Sequence, residues 1–291
     1  MDLFDYEFMR YALLGAAITG LSAPALGVYL VQRRMSLIGD GIGHIALTGV
    51  GVGLLTGNSP VLMAVLLAAL GGMAVELVRQ RGRTSGDIAL ALLFYGGISG
   101  GVFLVDLSAG KTSANLLAYL FGSPLTISRG DLAVMLALGG AVLVVALLLR
   151  PWLFAVCHDE EYARVSGLPV RTLNLLLAVT TAVTVTVAMR AGGLLLVSAL
   201  MVVPVATAQL ITRGFRATMH VAMAIGLAAG VTGICLAWEY DTAPGATVVL
   251  VAIGGFVAVA GGAAGWRAVR RARVGAARAT EVEPPDVVLD S

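Results

Sequence analysis

Asp40 and His44 stand four residues apart in the stretch GDGIGH, a spacing that puts a carboxylate and an imidazole on one face of a helix. Both groups are ligands for Zn²⁺, Mn²⁺ or Fe²⁺, and the flanking glycines let a neighbouring helix or a backbone carbonyl come close. The same pair could instead serve as polar glue, hydrogen-bonding adjacent helices. Because it lies inside an apolar run, where an ionisable side chain costs about 2.5–3.5 kcal/mol to insert, its presence calls for one of these reasons. Glu76, Asp87, Asp106 and Glu239 fall near the ends of apolar runs, where snorkelling to the interface accounts for them; for Asp87, beside Ser85 at a helix start, capping is enough. His158 and His220 take surface roles.

Two motif fragments suggest enzymes and neither survives its context. Residues 105–112, VDLSAGKT, end like a phosphate-binding loop but lack its first glycine and follow an apolar run on the outer side. Gly97-Ile98-Ser99-Gly100-Gly101 fits a nucleophile elbow and the GxSG of rhomboid-like intramembrane proteases. At 1.5 Å per residue, however, Ser99 lies roughly 20 Å deep and His44 roughly 10 Å, with His220 near the surface. No histidine reaches the serine, and with Gly96 close by, tight helix packing explains the glycines better.

The loop CHDEEYARVSGLP, residues 157–169, carries its own short helix. Asp159 can accept from the first backbone N–H groups, Glu160 and Glu161 sit at the positive end of the dipole, and Arg164 follows one turn later. Gly167 supplies a left-handed stop and Pro169 prevents continuation. Ala163 and Ser166 are small enough to enter a groove on a partner. From these features alone the helix reads as a docking element or as a solvated connector.

What must position these groups is a set of membrane helices. Of 291 residues, 58% are hydrophobic and 12% charged, and the mean hydropathy is +0.93, which excludes an ordinary soluble domain. A net charge of +2 gives no footing for nucleic acid. Apolar runs at 8–31, 37–57, 60–78, 86–107, 131–149, 171–189, 193–211, 219–238 and 245–266 predict an all-α, polytopic bundle of nine spans, or eight. Residues 112–128 are apolar but short and broken by Gly122 and Pro124, and read as a helix-turn on the outer side or a re-entrant piece. Arg10, Lys111, Arg129 and Arg190 fall outside; the other fifteen of the 19 basic residues fall inside, giving an outer N-terminus and a cytoplasmic C-terminus. The opening MDLFDYEF is acidic and unlike a cleaved signal, so the first run is expected to stay as a span. Residues 1–266 are then the membrane domain, and 267–291, basic and then acidic with two prolines, a disordered cytoplasmic tail. Cys157 and Cys235 lie towards opposite faces and make no disulfide framework.

The order of these motifs is that of a known family. Residues 33–49, RRMSLIGDGIGHIALTG, resemble the second-helix signature of the permease subunits of zinc, manganese and iron ABC importers, the ABC-3 or zinc-uptake permease family. The loop DEEYARVSGLPV, the stretch YLFGSPLTISRGDL from Tyr119 and GGLLLVSALMVVPVATAQLIT from Gly192 are similar to that family in order and spacing. Differences fall at Gly41, Gly43, Ile45 and Thr48, the last in place of the family's proline. The resemblance implies a permease that moves zinc or manganese, with iron a further candidate, and implicates Asp40 and His44 in metal passage. It also implies a coupling helix built from Asp159, Glu160, Glu161, Ala163, Arg164, Ser166 and Gly167. No ATPase motif is present, so ATP hydrolysis is expected on a partner chain and no cofactor is expected to be tightly bound. The implied partners are two cytoplasmic ATPases, a second permease copy in a homodimer, an extracytoplasmic metal-binding protein and the lipid of a bacterial plasma membrane. Pro204 could bend its span during alternating access. A proton-coupled secondary transporter with Asp40 and His44 as relay is the alternative, although no inverted repeat is evident. A rhomboid-like protease comes third.

Overall fold

The computed structural model describes residues 6–80, 86–108, 122 and 127–281. Within them the chain forms α1 (Glu7–Gln32), α2 (Ile38–Thr56), α3 (Pro60–Gln80), α4 (Gly86–Leu107), α5 (Arg129–Leu148) and α6 (Arg150–His158). Then follow α7 (Glu160–Val165), α8 (Val170–Gly192), α9 (Leu194–Ile211), α10 (Phe215–Glu239) and α11 (Pro244–Glu281).

Eight helices, α1 to α5, α8, α10 and α11, are long and apolar enough to cross a membrane. The remaining apolar run folds as α9, 18 residues with Pro204 inside it, and its Val197, Leu200 and Val205 are fully buried. Enclosure by protein, rather than lipid contact, lets this shorter helix accommodate a proline. All nine apolar runs therefore lie on helices, while most of 112–128 lies outside the described residues.

α1, α2 and α8 are mostly buried, whereas α4 and α11 keep most of their surface on the outside. Lipid tails are as apolar as leucine, so such helices are held by close packing rather than by expulsion of water. Small residues provide it: a Cβ added to Gly20 of α1 would lie 2.6 Å from the Gly226 carbonyl oxygen of α10, and one added to Gly230 would lie 3.0 Å from that of Ala16. α5 begins with a capping box in which the Ser128 hydroxyl accepts from the Asp131 N–H at 3.1 Å and Asp131 accepts from the Ser128 N–H at 3.2 Å.

Residues 267–281, where alanine and arginine dominate and are strong helix formers, continue α11 as helix. The acidic, proline-containing remainder lies outside the described residues.

Candidate functional site

Asp40 stands in the first turn of α2, where the positive end of the helix favours a carboxylate. It lines a cavity of about 240 Å³ together with Leu37, Leu90, Ala91, Phe94 and Tyr95. His44, one turn on, is buried and meets Phe94 edge-on, with ring centroids 4.4 Å apart. Phe94 thus adjoins both members of the pair, and both face α4. The Nδ1 atom of His44 is buried with no hydrogen-bond partner, an arrangement that asks for an explanation in a membrane interior.

Glycines bring α4 this close. A Cβ on Gly97 would lie 2.6 Å from the carbonyl carbon of His44 and 2.7 Å from the nitrogen of Ile45, so the two backbones touch at the histidine. One turn further, a Cβ on Gly101 would lie 2.8 Å from Leu47 Cγ. Thr48, where the family signature has proline, donates its hydroxyl to the Gly97 carbonyl at 2.7 Å and ties the seam. Ser99 is exposed while Gly97 and Gly101 are buried, which bears out packing as the use of this glycine-rich stretch.

On its other side α2 meets α9: an added Cβ on Gly39 would lie 3.2 Å from Met201 Sδ and 3.7 Å from Ser198 Oγ. Ser198 Oγ is another of the buried polar atoms without a partner, as are atoms of Thr19, Arg33, Asn174 and Arg190 elsewhere. The sequence reading passed over it, although a serine inside the run LLLVSALMVV was a visible signal. Among the described residues no three His, Cys, Asp or Glu side chains come together as a metal cage. Asp40 and His44 therefore offer two donors within one chain.

The short helix α7 is built as its residues dictate. Asp159 accepts from the Tyr162 N–H at 2.9 Å, and Gly167, at φ +81°, closes a Schellman motif. There the Gly167 N–H reaches the Arg164 carbonyl and the Leu168 N–H reaches that of Ala163, both at 3.1 Å. Ala163 is fully buried against the bundle, so its methyl is not free to enter a partner's groove. The outward positions are Glu161, Arg164 and Ser166 together with Tyr162 and Val165, which are 68% and 88% exposed.

Glu160 points inward instead, into an ion cluster that the sequence reading did not assemble. Arg79 of α3 donates to Glu160 at 3.1 Å and makes two bonds to Glu76, at 3.0 and 2.8 Å. Arg33, which caps α1 and opens the second-helix signature, sits 3.8 Å from both glutamates. Glu76 is only 2% exposed, so snorkelling is corrected here: paired guanidinium groups, not water, satisfy its carboxylate. The spacing of Glu76 and Arg79 was the available clue, since residues three apart meet on a helix. Cys157, at the end of α6, is also buried, and burial pushes its thiol up to about 11. Asp106, His158, His220 and Glu239 are exposed, as expected. The Asp87 side chain and Ala109 to Thr112 of the VDLSAGKT segment lie outside the described residues.

Residues 5–261 match the ABC 3 transport family. The manganese transport system membrane protein MntC of Halalkalibacterium halodurans is 32% identical over 251 residues, covering 86% of each chain. The chelated iron transport system membrane protein YfeD of Yersinia pestis is also 32% identical, over 85% of this chain and 83% of its own. Among solved structures, PsaBC from Streptococcus pneumoniae in complex with Fab superposes with a TM-score of 0.80 at 26% identity, covering 88% of this chain and 92% of that one. A family match that spans nearly the whole helical bundle, joined to a fold shared along the same length, makes this chain a multi-span membrane permease subunit of the ABC 3 transport family.

Proposed function

We propose that the chain carries a divalent transition metal ion across the bacterial plasma membrane, with Asp40 and His44 as transient ligands. The observation that supports this best is the unpartnered Nδ1 of His44, one helical turn from Asp40 and beside the same aromatic ring. A carboxylate oxygen and an imidazole nitrogen suit Mn²⁺, Fe²⁺ and Zn²⁺, and the relatives named for manganese and chelated iron favour the first two. Two donors hold an ion weakly, which suits a site that must release its cargo. Further ligands would come from a second copy of the chain, and we take the working unit to be a homodimer with the path between its protomers.

ATP is hydrolysed on separate cytoplasmic subunits that dock on the outward face of α7, and an extracytoplasmic binding protein delivers the ion. This reading puts the N-terminus outside and residues 267–291 in the cytoplasm. The excess of arginines on the side of α7 supports that orientation. Gly97 and Gly101 packed on α2, with Ser99 turned away, weigh against the protease reading.

The test is metal uptake into cells. Asp40→Ala and His44→Ala should each abolish uptake of radioactive Mn²⁺ while the protein still inserts and assembles; normal uptake by both would remove the assignment. Orientation is tested separately in a Cys157→Ser/Cys235→Ser background. Ser108→Cys should react with an impermeant thiol reagent in intact cells, and Ser166→Cys only after the membrane is opened. The reverse pattern would put α7 out of reach of any ATPase.

A further inference from the structure

We propose that the cavity where α6 and α10 begin binds the head group of an anionic phospholipid. The cavity measures about 550 Å³ and is lined by Arg150 from the first turn of α6, by Arg213 and Gly214 from the turn after α9, and by Phe215 and Arg216 from the first turn of α10. Phe154 forms part of its wall, and no carboxylate lines it. Among the described residues none of the three arginines forms an ion pair; Arg10, Arg34 and Arg171 share that state, whereas Arg33, Arg79, Arg129, Arg164 and Arg190 are paired. Three guanidinium groups around one space repel each other unless an anion joins them.

The backbone adds to the same field. Both helices that start here lack a side-chain cap, since neither Leu149 nor Gly214 makes a capping bond. The positive ends of two dipoles are therefore left without a side-chain cap, although Pro151 in the first turn of α6 brings no N–H of its own. The surroundings say which anion. α5 ends at Leu148 and α9 at Ile211, so the cavity lies level with the ends of two membrane helices. Leu148 is 74% exposed, Ile211 56% and Trp152 51%, and each stands within two residues of a lining residue, so exposed apolar side chains on which acyl chains can lie flank the cavity in sequence, an indole among them. A free phosphate would make no use of those side chains. A basic pocket between helix ends flanked in this way is the arrangement that holds an acidic lipid in the adjoining leaflet, whichever ion the permease carries.

The test uses the whole chain purified in detergent, with lipid binding followed by native mass spectrometry during titration with phosphatidylglycerol or phosphatidylcholine. One phosphatidylglycerol per chain should bind in clear preference to phosphatidylcholine. Arg150→Gln, Arg213→Gln and Arg216→Gln should each weaken that binding about five-fold, the effect of one basic group near a charged lipid surface. Lysine at the same positions should keep most of the affinity, which separates loss of charge from loss of fold, and Arg10→Gln should bind like the unaltered chain. Equal binding of the two lipids, or glutamine variants that bind like the unaltered chain, would overturn the proposal. So would displacement of the lipid by an equal concentration of inorganic phosphate, which would make this a free-anion site. Release of a co-purified ATPase subunit by the glutamine variants, with phosphatidylglycerol affinity unchanged, would make it a protein contact and also overturn the proposal.

Discussion

The seam between α2 and α4 and the cluster beneath α7 handle polar atoms in opposite ways. At the seam, backbones touch through Gly97 and Gly101, polar side chains are few, and the Nδ1 of His44 has no partner. Beneath α7, four charged side chains from two helices and one helix cap are drawn into a single network around Glu76 and Glu160. The seam leaves donor atoms free for something that comes and goes. The cluster spends its charges on each other, and so holds α7 against α3 and against the entry to α2. An unpartnered ligand atom close to a cavity suits transient binding, whereas ion pairs among buried charges make a fixed joint, even where Arg33 Nη2 reaches its glutamates only at 3.8 Å and makes no hydrogen bond.

The contrast can be broken most severely at Gly97. A leucine there would drive side-chain atoms into the backbone of His44 and Ile45, which cannot move aside as a side-chain end could. Gly97→Leu should cost more than the usual ~1–3 kcal/mol of overpacking, and size-exclusion of the detergent-solubilised protein should show little monodisperse material. Next comes Glu76→Ala, which strands Arg79 and Arg33 beside one remaining carboxylate. A loss of about 3–5 kcal/mol is expected from breaking a buried pair, read as a lowered midpoint of thermal unfolding. His44→Ala sharpens the comparison, because it should leave that midpoint close to normal although this residue too is buried. A large drop there would make His44 a structural group and undo the distinction between the two regions.

Smaller effects test the joints individually. Glu160 is partly exposed, so Glu160→Gln should lower stability by only about 1 kcal/mol. A double-mutant cycle with Arg79→Gln should show that the two losses do not add, and full additivity would mean that the bond carries nothing. Thr48→Val removes the hydroxyl that reaches the Gly97 carbonyl and should cost about 0.6 kcal/mol, the average for a hydrogen bond between membrane helices. The thermal midpoint of this variant is then expected to shift less than that of Glu160→Gln.

Much of the molecule was legible from local chemistry. Apolar runs of membrane length mark helices wherever they occur, because no other open structure can satisfy its backbone in lipid; for the same reason the run at 193–211 was found even though α9 is buried. The cap at Asp159, the stop at Gly167 and the shared face of Asp40 and His44 depend on neighbours within one or two turns, and each stands where its spacing puts it. What chain-local reasoning misjudged depends on which helices lie side by side. Glu76 and Glu160 are 84 positions apart, and nothing in either segment says that Arg79 and Arg33 will stand between them. Ala163 looked like a surface residue because its helix is short and polar, yet that helix lies on the bundle with its alanine inward. The converging starts of α6 and α10, which gather Arg150, Arg213 and Arg216 around one space, likewise exist only after the helices have packed. Periodicity and capping are set by contacts a few residues long, whereas charge pairing across a bundle is set by the order in which glycine and alanine faces let the helices approach.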